Sequence, residues 1–145
     1  HCQQNTVDAE FHDDFDLQDD DVVLRKGTNV DIDSYSAFFE NDGKTHPRFD
    51  DGRTFTERLR DDGVKRLVFT GLAFDYCVGW NALDAVKEGF EAVVVVDATK
   101  SIAPQSEQAM RDKLAAAGVK LTTVAELPYA LGVLKKPDAA PNLTL

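Results

Sequence analysis

Hydrophobic and polar positions along this chain switch repeatedly between a period of about two and a period near 3.6, the two repeats that separate strands from amphipathic helices. "DVVLRKG" (21–27) is a short apolar run that predicts a strand ending at Lys26 and Gly27. "RTFTERLRDDG" (53–63) predicts a helix, with Phe55 and Leu59 four apart and Gly63 as its stop. "VKRLVFTG" (64–71) is the next strand. Cys77 to Glu88 predicts a helix with Val78, Ala82, Ala85 and Val86 on one face and Gly89 closing it. "EAVVVVDA" (91–98) is a continuous apolar run, the pattern of a strand covered on both faces in a parallel sheet. "SEQAMRDKLAAAG" (106–118) predicts a helix with Ala109, Met110, Leu114 and Ala117 inward, and "VKLTTV" (119–124) a last strand.

Three successive strand–helix–strand crossings predict an α/β fold: three α/β/α layers, with a mostly parallel sheet and helices on both faces. Ligands in such sheets bind at the carboxyl ends of the strands. Lys26 and the turn from Leu72 to Cys77 both fall at predicted strand ends. The final "KKPDAAPNLTL" (135–145) has little to bury. A domain over residues 1–130 followed by a mobile tail over 131–145 is therefore expected.

Composition narrows the partners. With 145 residues the chain is sized for one core. The net charge of −10 removes the basic face that nucleic acid needs and repels anionic membrane surfaces. "DDFDLQDDD" (13–21) reads as a solvated acidic loop, with high-salt adaptation as the other reading. No apolar run approaches the roughly 20 residues that span a bilayer. The two cysteines, Cys2 and Cys77, form no CxxC pair and no disulfide framework, so the cytoplasm is the expected compartment. "HCQQNTVDAEFH" opens without an initiator Met or a charged-then-apolar leader, and reads as the middle of a protein.

Cys77 carries the candidate chemistry. A thiol where a strand runs into a helix is either buried filler or a nucleophile. Unpaired amides and the positive end of the helix dipole would favour the thiolate, and the same amides would face a substrate oxyanion. Lys26 is either the cation that completes such a site or a solvated surface lysine.

Four stretches together resemble the cysteine hydrolases that include nicotinamidases and isochorismatase-like amidohydrolases. "GLAFDYCVGWNALDAVKEGFEAVVVVDA" (71–98) resembles the nucleophile strand, its helix and the next strand. "LRKGTNVDIDSYSAFFEN" (24–41) resembles the segment of the catalytic lysine, with "DSYSAF" its specific part. "HCQQNT" with "AEFH" resembles the nicotinamidase stretch that carries a metal-ligating His, and "DATKSI" (97–102) the exit from the following strand.

The resemblance implies the isochorismatase-like hydrolase fold and makes Cys77 the nucleophile and Lys26 the catalytic lysine. A cis peptide between Leu72 and Ala73 would turn the Ala73 amide, with that of Cys77, toward the oxyanion. Leu72, Ala73, Tyr76, Tyr35 and Asp75 fall at family positions around the substrate, although packing would also explain the tyrosines and helix capping would explain Asp75. His1 matches a ligand of a divalent metal: zinc, with iron or manganese as alternatives. The implied reaction is deamidation of nicotinamide to nicotinic acid; carbamoyl or ureido amides are the alternative substrates.

The family's "D-x-Q" base motif lies on a first strand and its "D-x-H" metal motif follows a second; both would precede His1, and nothing in this chain replaces them. The expectation is therefore the C-terminal two-thirds of a hydrolase domain, without its first strands and catalytically incomplete alone. Its expected partners are an N-terminal fragment of the same protein, further copies in a homo-oligomer, and a small amide. A non-catalytic binding subunit is the rival reading. Cys2, His12, His46, Trp80, Asp84 and Asp97 are read as structural or loop residues.

Overall fold

The computed structural model describes residues 3–135, which divide into two units, His1–Val64 and Lys65–Leu145. The first is largely irregular. It holds a short 3₁₀ turn, Val7–Ala9, and helix α1, Phe55–Asp61. A reciprocal capping box starts α1: Thr54 Oγ1 accepts from the Glu57 amide at 3.2 Å, and the Glu57 carboxylate accepts from the Thr54 amide at 2.7 Å. An aromatic cluster forms the interior. Phe38 is 1% exposed, its ring centroid lies 4.9 Å from that of Phe55, and Leu59 is buried on the same side of α1 as Phe55, one turn on.

The strand predicted over 21–27 does not form. The segment is irregular, and Val22 and Val23 are exposed. Apolar residues make a strand only where a neighbour completes the ladder, and the bridge found among the described residues of this unit, Arg48 to Thr54, involves other residues.

In the second unit the predicted alternation of strands and helices holds. Strands β1, Arg66–Leu72, β2, Glu91–Lys100, and β3, Lys120–Thr122, pair in parallel in the order β1-β2-β3. Ala92–Val95 of the central strand β2 are buried, which is why its apolar run is unbroken. Helix α2, Gly79–Lys87, crosses from β1 to β2, and α3, Pro104–Ala116, from β2 to β3. Both crossovers advance the same way, so right-handed connections stack the two helices on one face of the sheet. Ala82 and Ala85 of α2, with Met110 and Leu114 of α3, are buried, while Val86 is half-buried. Ala109 is exposed, contrary to the expectation that it faces inward. The buried stripe of α3 is the i, i+4 pair Met110 and Leu114, and Ala109 lies one residue off it. A one-turn helix α4, Leu127–Ala130, ends the described fold. Of the stretch expected to be a mobile tail, residues 136–145 lie outside the described residues.

Candidate active site

Because the strands are parallel, their carboxyl ends share one edge. Register places Gly71 of β1 beside Thr99 of β2, and Leu72 beside Lys100. Thr99 Oγ1 donates to the Gly71 carbonyl at 2.5 Å and ties the two ends together. At this edge β1 stops, the Leu72–Ala73 peptide is cis as the resemblance implies, and Phe74–Val78 form a π-helical turn that runs directly into α2. The Val78 amide donates to the Ala73 carbonyl at 3.0 Å, an i+5 bond that opens the turn wider than an α-helix would. Cys77 therefore sits in this wide turn ahead of α2, not in the first turn of a regular helix. Its thiol is in no disulfide, and the residue is half-buried rather than sealed in the core. Four residues on, Asn81 Nδ2 donates to the Cys77 carbonyl at 2.7 Å. Leu72 is 74% exposed, Tyr76 is exposed and Ala73 is half-buried.

Asp75 is the buried charge of this turn, 4% exposed. Its oxygens accept from the amides of Ile102, at 3.0 and 3.1 Å, and Ala103, at 3.3 Å, and from the Ser106 hydroxyl at 2.5 Å. Burial pushes its carboxyl up, but the bonds from Ser106, Ile102 and Ala103 outweigh burial and hold it below the usual carboxylate range. Asp75 thus caps a helix, though α3 rather than its own. Sequence periodicity did not single out Ser106 or Asn81; the polar residue four positions after Cys77 was the one readable hint.

Lys26 and Tyr35 belong to the first unit. Lys26 is half-buried in the irregular segment, not at a strand end, and its Nζ donates to the Ser34 carbonyl at 2.6 Å. Gly27 follows with φ of 66°, and a Cβ there would meet Ser34 Cβ at 3.6 Å, so the chain turns back on the DSYSAF segment. Tyr35 is half-buried, and its amide donates to Asn41 Oδ1 at 3.1 Å. Within this unit a cavity of about 290 Å³ is lined by Lys26, Phe11, Leu24 and neighbours. A larger one of about 830 Å³, lined by Glu40, His46, Arg48 and Arg58 among others, excludes Lys26.

His46, read as a loop residue, approaches the Phe38 carbonyl with Nδ1 at 2.8 Å and fastens the loop after the aromatic cluster. A carbonyl only accepts, so Nδ1 carries the proton in this bond.

The candidate metal ligand His1, like Cys2, lies outside the described residues. Among the described residues no group of three or more His, Cys, Asp or Glu side chains is arranged to hold a metal ion. These residues alone do not make a metal centre.

The family model described as the isochorismatase domain matches residues 1–126. The chain belongs to the isochorismatase family. Its relatives place it in the nicotinamidase branch. A nicotinamidase of Acinetobacter baylyi is 40% identical over 102 residues, covering 70% of this chain and 45% of the relative. The solved structure of an Acinetobacter baumanii nicotinamidase and pyrazinamidase superposes with a TM-score of 0.80 at 38% identity, covering 88% of this chain and 59% of that one. A Pyrococcus horikoshii pyrazinamidase solved in complex with zinc gives a TM-score of 0.69 at 36% identity, covering 85% of this chain and 61% of its own. The chain thus spans about half the length of the curated relative it matches. Among the described residues no helix is long and apolar enough to cross a membrane.

Proposed function

We propose that the protein hydrolyses nicotinamide to nicotinic acid and ammonia, a step of NAD salvage in the cytoplasm, through a thioester on Cys77. The observation that carries this reading is the half-buried Cys77 thiol, two residues beyond Asp75 in the wide turn after β1 and the cis Leu72–Ala73 peptide. Similarity to nicotinamidases over most of the chain supports the substrate.

In the proposed reaction the Cys77 sulfur attacks the amide carbonyl carbon. The carbon–sulfur bond forms as the carbonyl electron pair moves to oxygen, where the Ala73 and Cys77 amides receive it. Lys26 stabilises the developing negative charge. Collapse breaks the carbon–nitrogen bond; the nitrogen takes the thiol proton through a carboxylate base and leaves as ammonia. Water then cleaves the thioester, returning the thiol and releasing the acid. Leu72, Tyr76 and Tyr35 are assigned to the substrate's surroundings. Asp75 leaves that list, because hydrogen bonds to α3 occupy its carboxylate.

The base is proposed to be the carboxylate of the "D-x-Q" motif on the family's first strand; Asp16–Gln18 spells the same letters here but lies in exposed, irregular chain. On this reading the chain alone does not turn over, and the "D-x-Q" and "D-x-H" segments restore activity. A divalent metal, zinc first, is proposed for the protein bearing the "D-x-H" motif, with His1 among its ligands. It would supply a Lewis acid that orients the substrate ring; no step above passes through it.

The test is Cys77→Ala in the full-length protein. Ammonia release from nicotinamide should vanish, and hydroxylamine should trap a nicotinoyl group from the wild type alone. Turnover retained by Cys77→Ala would refute the assignment. Faster release from a carbamoyl or ureido amide would move the protein to the alternative substrates.

A further inference from the structure

The proposed reaction uses the sulfur of Cys77 and gives no task to the carboxylate buried two residues before it. Burying a charge is expensive unless hydrogen bonds or an opposite charge replace its water. For Asp75 the replacement comes from one place, the start of α3. Ala103 is the N-cap of that helix and has no side chain able to cap, and Pro104, at its first position, has no amide hydrogen. The missing cap arrives from 28 residues upstream: the Asp75 carboxylate accepts from the Ile102 and Ala103 amides and from the Ser106 hydroxyl. An anion at this end of the helix is also favoured by the helix dipole.

Sheet register makes the meeting possible. Leu72 and Lys100 are partners at the ends of neighbouring parallel strands. Asp75 lies three residues beyond the first and Ile102 two beyond the second, so the turn and the helix start stand side by side. Two further contacts join the same pieces. The Arg111 guanidinium lies over the Phe74 ring, 5.0 Å from its centroid, and Met110 packs against Gly79, where a Cβ would stand 2.5 Å from its sulfur. The turn that carries Cys77 is therefore fastened to α3 at both ends and at its one buried charge.

We propose that Asp75 is a positioning residue for Cys77: by pinning the Phe74–Val78 turn to the N-terminus of α3, it fixes where the sulfur and its neighbouring amides stand. The inference rests on the reading of Cys77 as the nucleophile. It assigns Asp75 no contact with substrate. A shift of about 1 Å in a nucleophile can cost on the order of a hundredfold in rate.

The experiment compares Asp75→Ala, Asp75→Asn and Ser106→Ala in the full-length protein, at a temperature where circular dichroism shows each variant folded. Asp75→Ala should lower kcat for nicotinamide by at least about tenfold with KM within about threefold of wild type. Asp75→Asn keeps one carbonyl oxygen for the Ile102 amide and should recover part of that loss. Ser106→Ala should cost about two- to fivefold, and adding it to Asp75→Ala should cost nothing more, because both act through one bonded unit. Hydrogen exchange in the Phe74–Val78 amides should quicken in Asp75→Ala while β2 amides keep their protection. A folded Asp75→Ala with wild-type kcat overturns the proposal, as does turn exchange that rises no more than that of β2. Should Asp75→Ala fail to fold, Ser106→Ala decides: unchanged kcat and unchanged turn exchange overturn the role. Failure of the underlying reading looks different. Activity surviving Cys77→Ala removes the nucleophile, whereas a dead Cys77→Ala beside a fully active Asp75→Ala removes only the positioning role.

Discussion

Gly79 opens α2 directly against Met110 of α3, with no room between them for a side chain. A Cβ on Gly79 would stand 2.5 Å from Cγ and Sδ of Met110 and 2.6 Å from the Phe74 carbonyl oxygen. Gly79 has ordinary helical dihedrals, so this glycine serves close approach, not conformational freedom. Met110 can swing aside, but the Phe74 carbonyl belongs to the turn and cannot. Gly79→Ala should therefore destabilise the protein by about 1–3 kcal/mol, read as a lower urea midpoint at unchanged slope. An unchanged midpoint would mean that α2 and α3 do not meet here.

Two positions of α3 make opposite predictions. Leu114 is fully buried, and Leu114→Ala should cost about 2–5 kcal/mol through lost burial and the void left behind. Ala109 is exposed, so Ala109→Ser should stay within about 0.5 kcal/mol. Thermal unfolding of the two variants checks the pair. Equal losses would return Ala109 to the core.

Elements whose reason is local were legible in the sequence. β2 announced itself because its consecutive residues Ala92–Val95 are all buried, and α1 because Phe55 and Leu59 lie four apart ahead of Gly63, while its capping box was not read. The strand expected over 21–27 was misread because its apolar residues hold no information about a ladder partner. Around Cys77 the strand end and the following helix were readable, whereas the wide turn was not, since the i+5 bond from Val78 to Ala73 leaves no compositional mark. The capping of α3 by Asp75 joins residues 27 to 31 apart, and only the parallel register of β1 and β2 brings them together. Lys26 was placed at a strand end and lies instead in irregular chain bonded to Ser34.

Helix α1 spans only seven residues and relies on its cap. Thr54 is buried and its hydroxyl accepts from the Glu57 amide and donates to the Glu57 carboxylate, so Thr54→Ala leaves that amide unpaired and removes the hydroxyl's bond to the carboxylate, while the Thr54 amide still donates to it. The expected loss is about 0.5–2 kcal/mol, with Thr54→Ser recovering most of it. Chemical denaturation followed through the first unit's aromatic cluster measures this. Equal stability of Thr54→Ala and wild type would show that the box contributes nothing.

Acid stability should depend on Asp75 in a definite direction. Its folded carboxyl lies below the usual range, because the bonds from Ser106, Ile102 and Ala103 outweigh the opposing effect of burial. A carboxyl that is more acidic folded than unfolded adds stability above its unfolded value, near pH 3.9, and that stability is lost as pH falls through the lower folded value. Asp42 follows the same sign: the Thr45 hydroxyl and the amides of Lys44 and Thr45 lower it to about 2. Unfolding free energy of the wild type should therefore drop steeply on acidification below about pH 4. Asp75→Asn, which holds no titrating group there, should be less stable at neutral pH and show a shallower acid limb. Asp42→Asn should flatten the limb while leaving turnover at neutral pH unchanged, since its bonds stay within the Asp42–Thr45 turn. Parallel acid limbs for wild type and Asp75→Asn would show that the carboxylate at the start of α3 is no more acidic folded than unfolded.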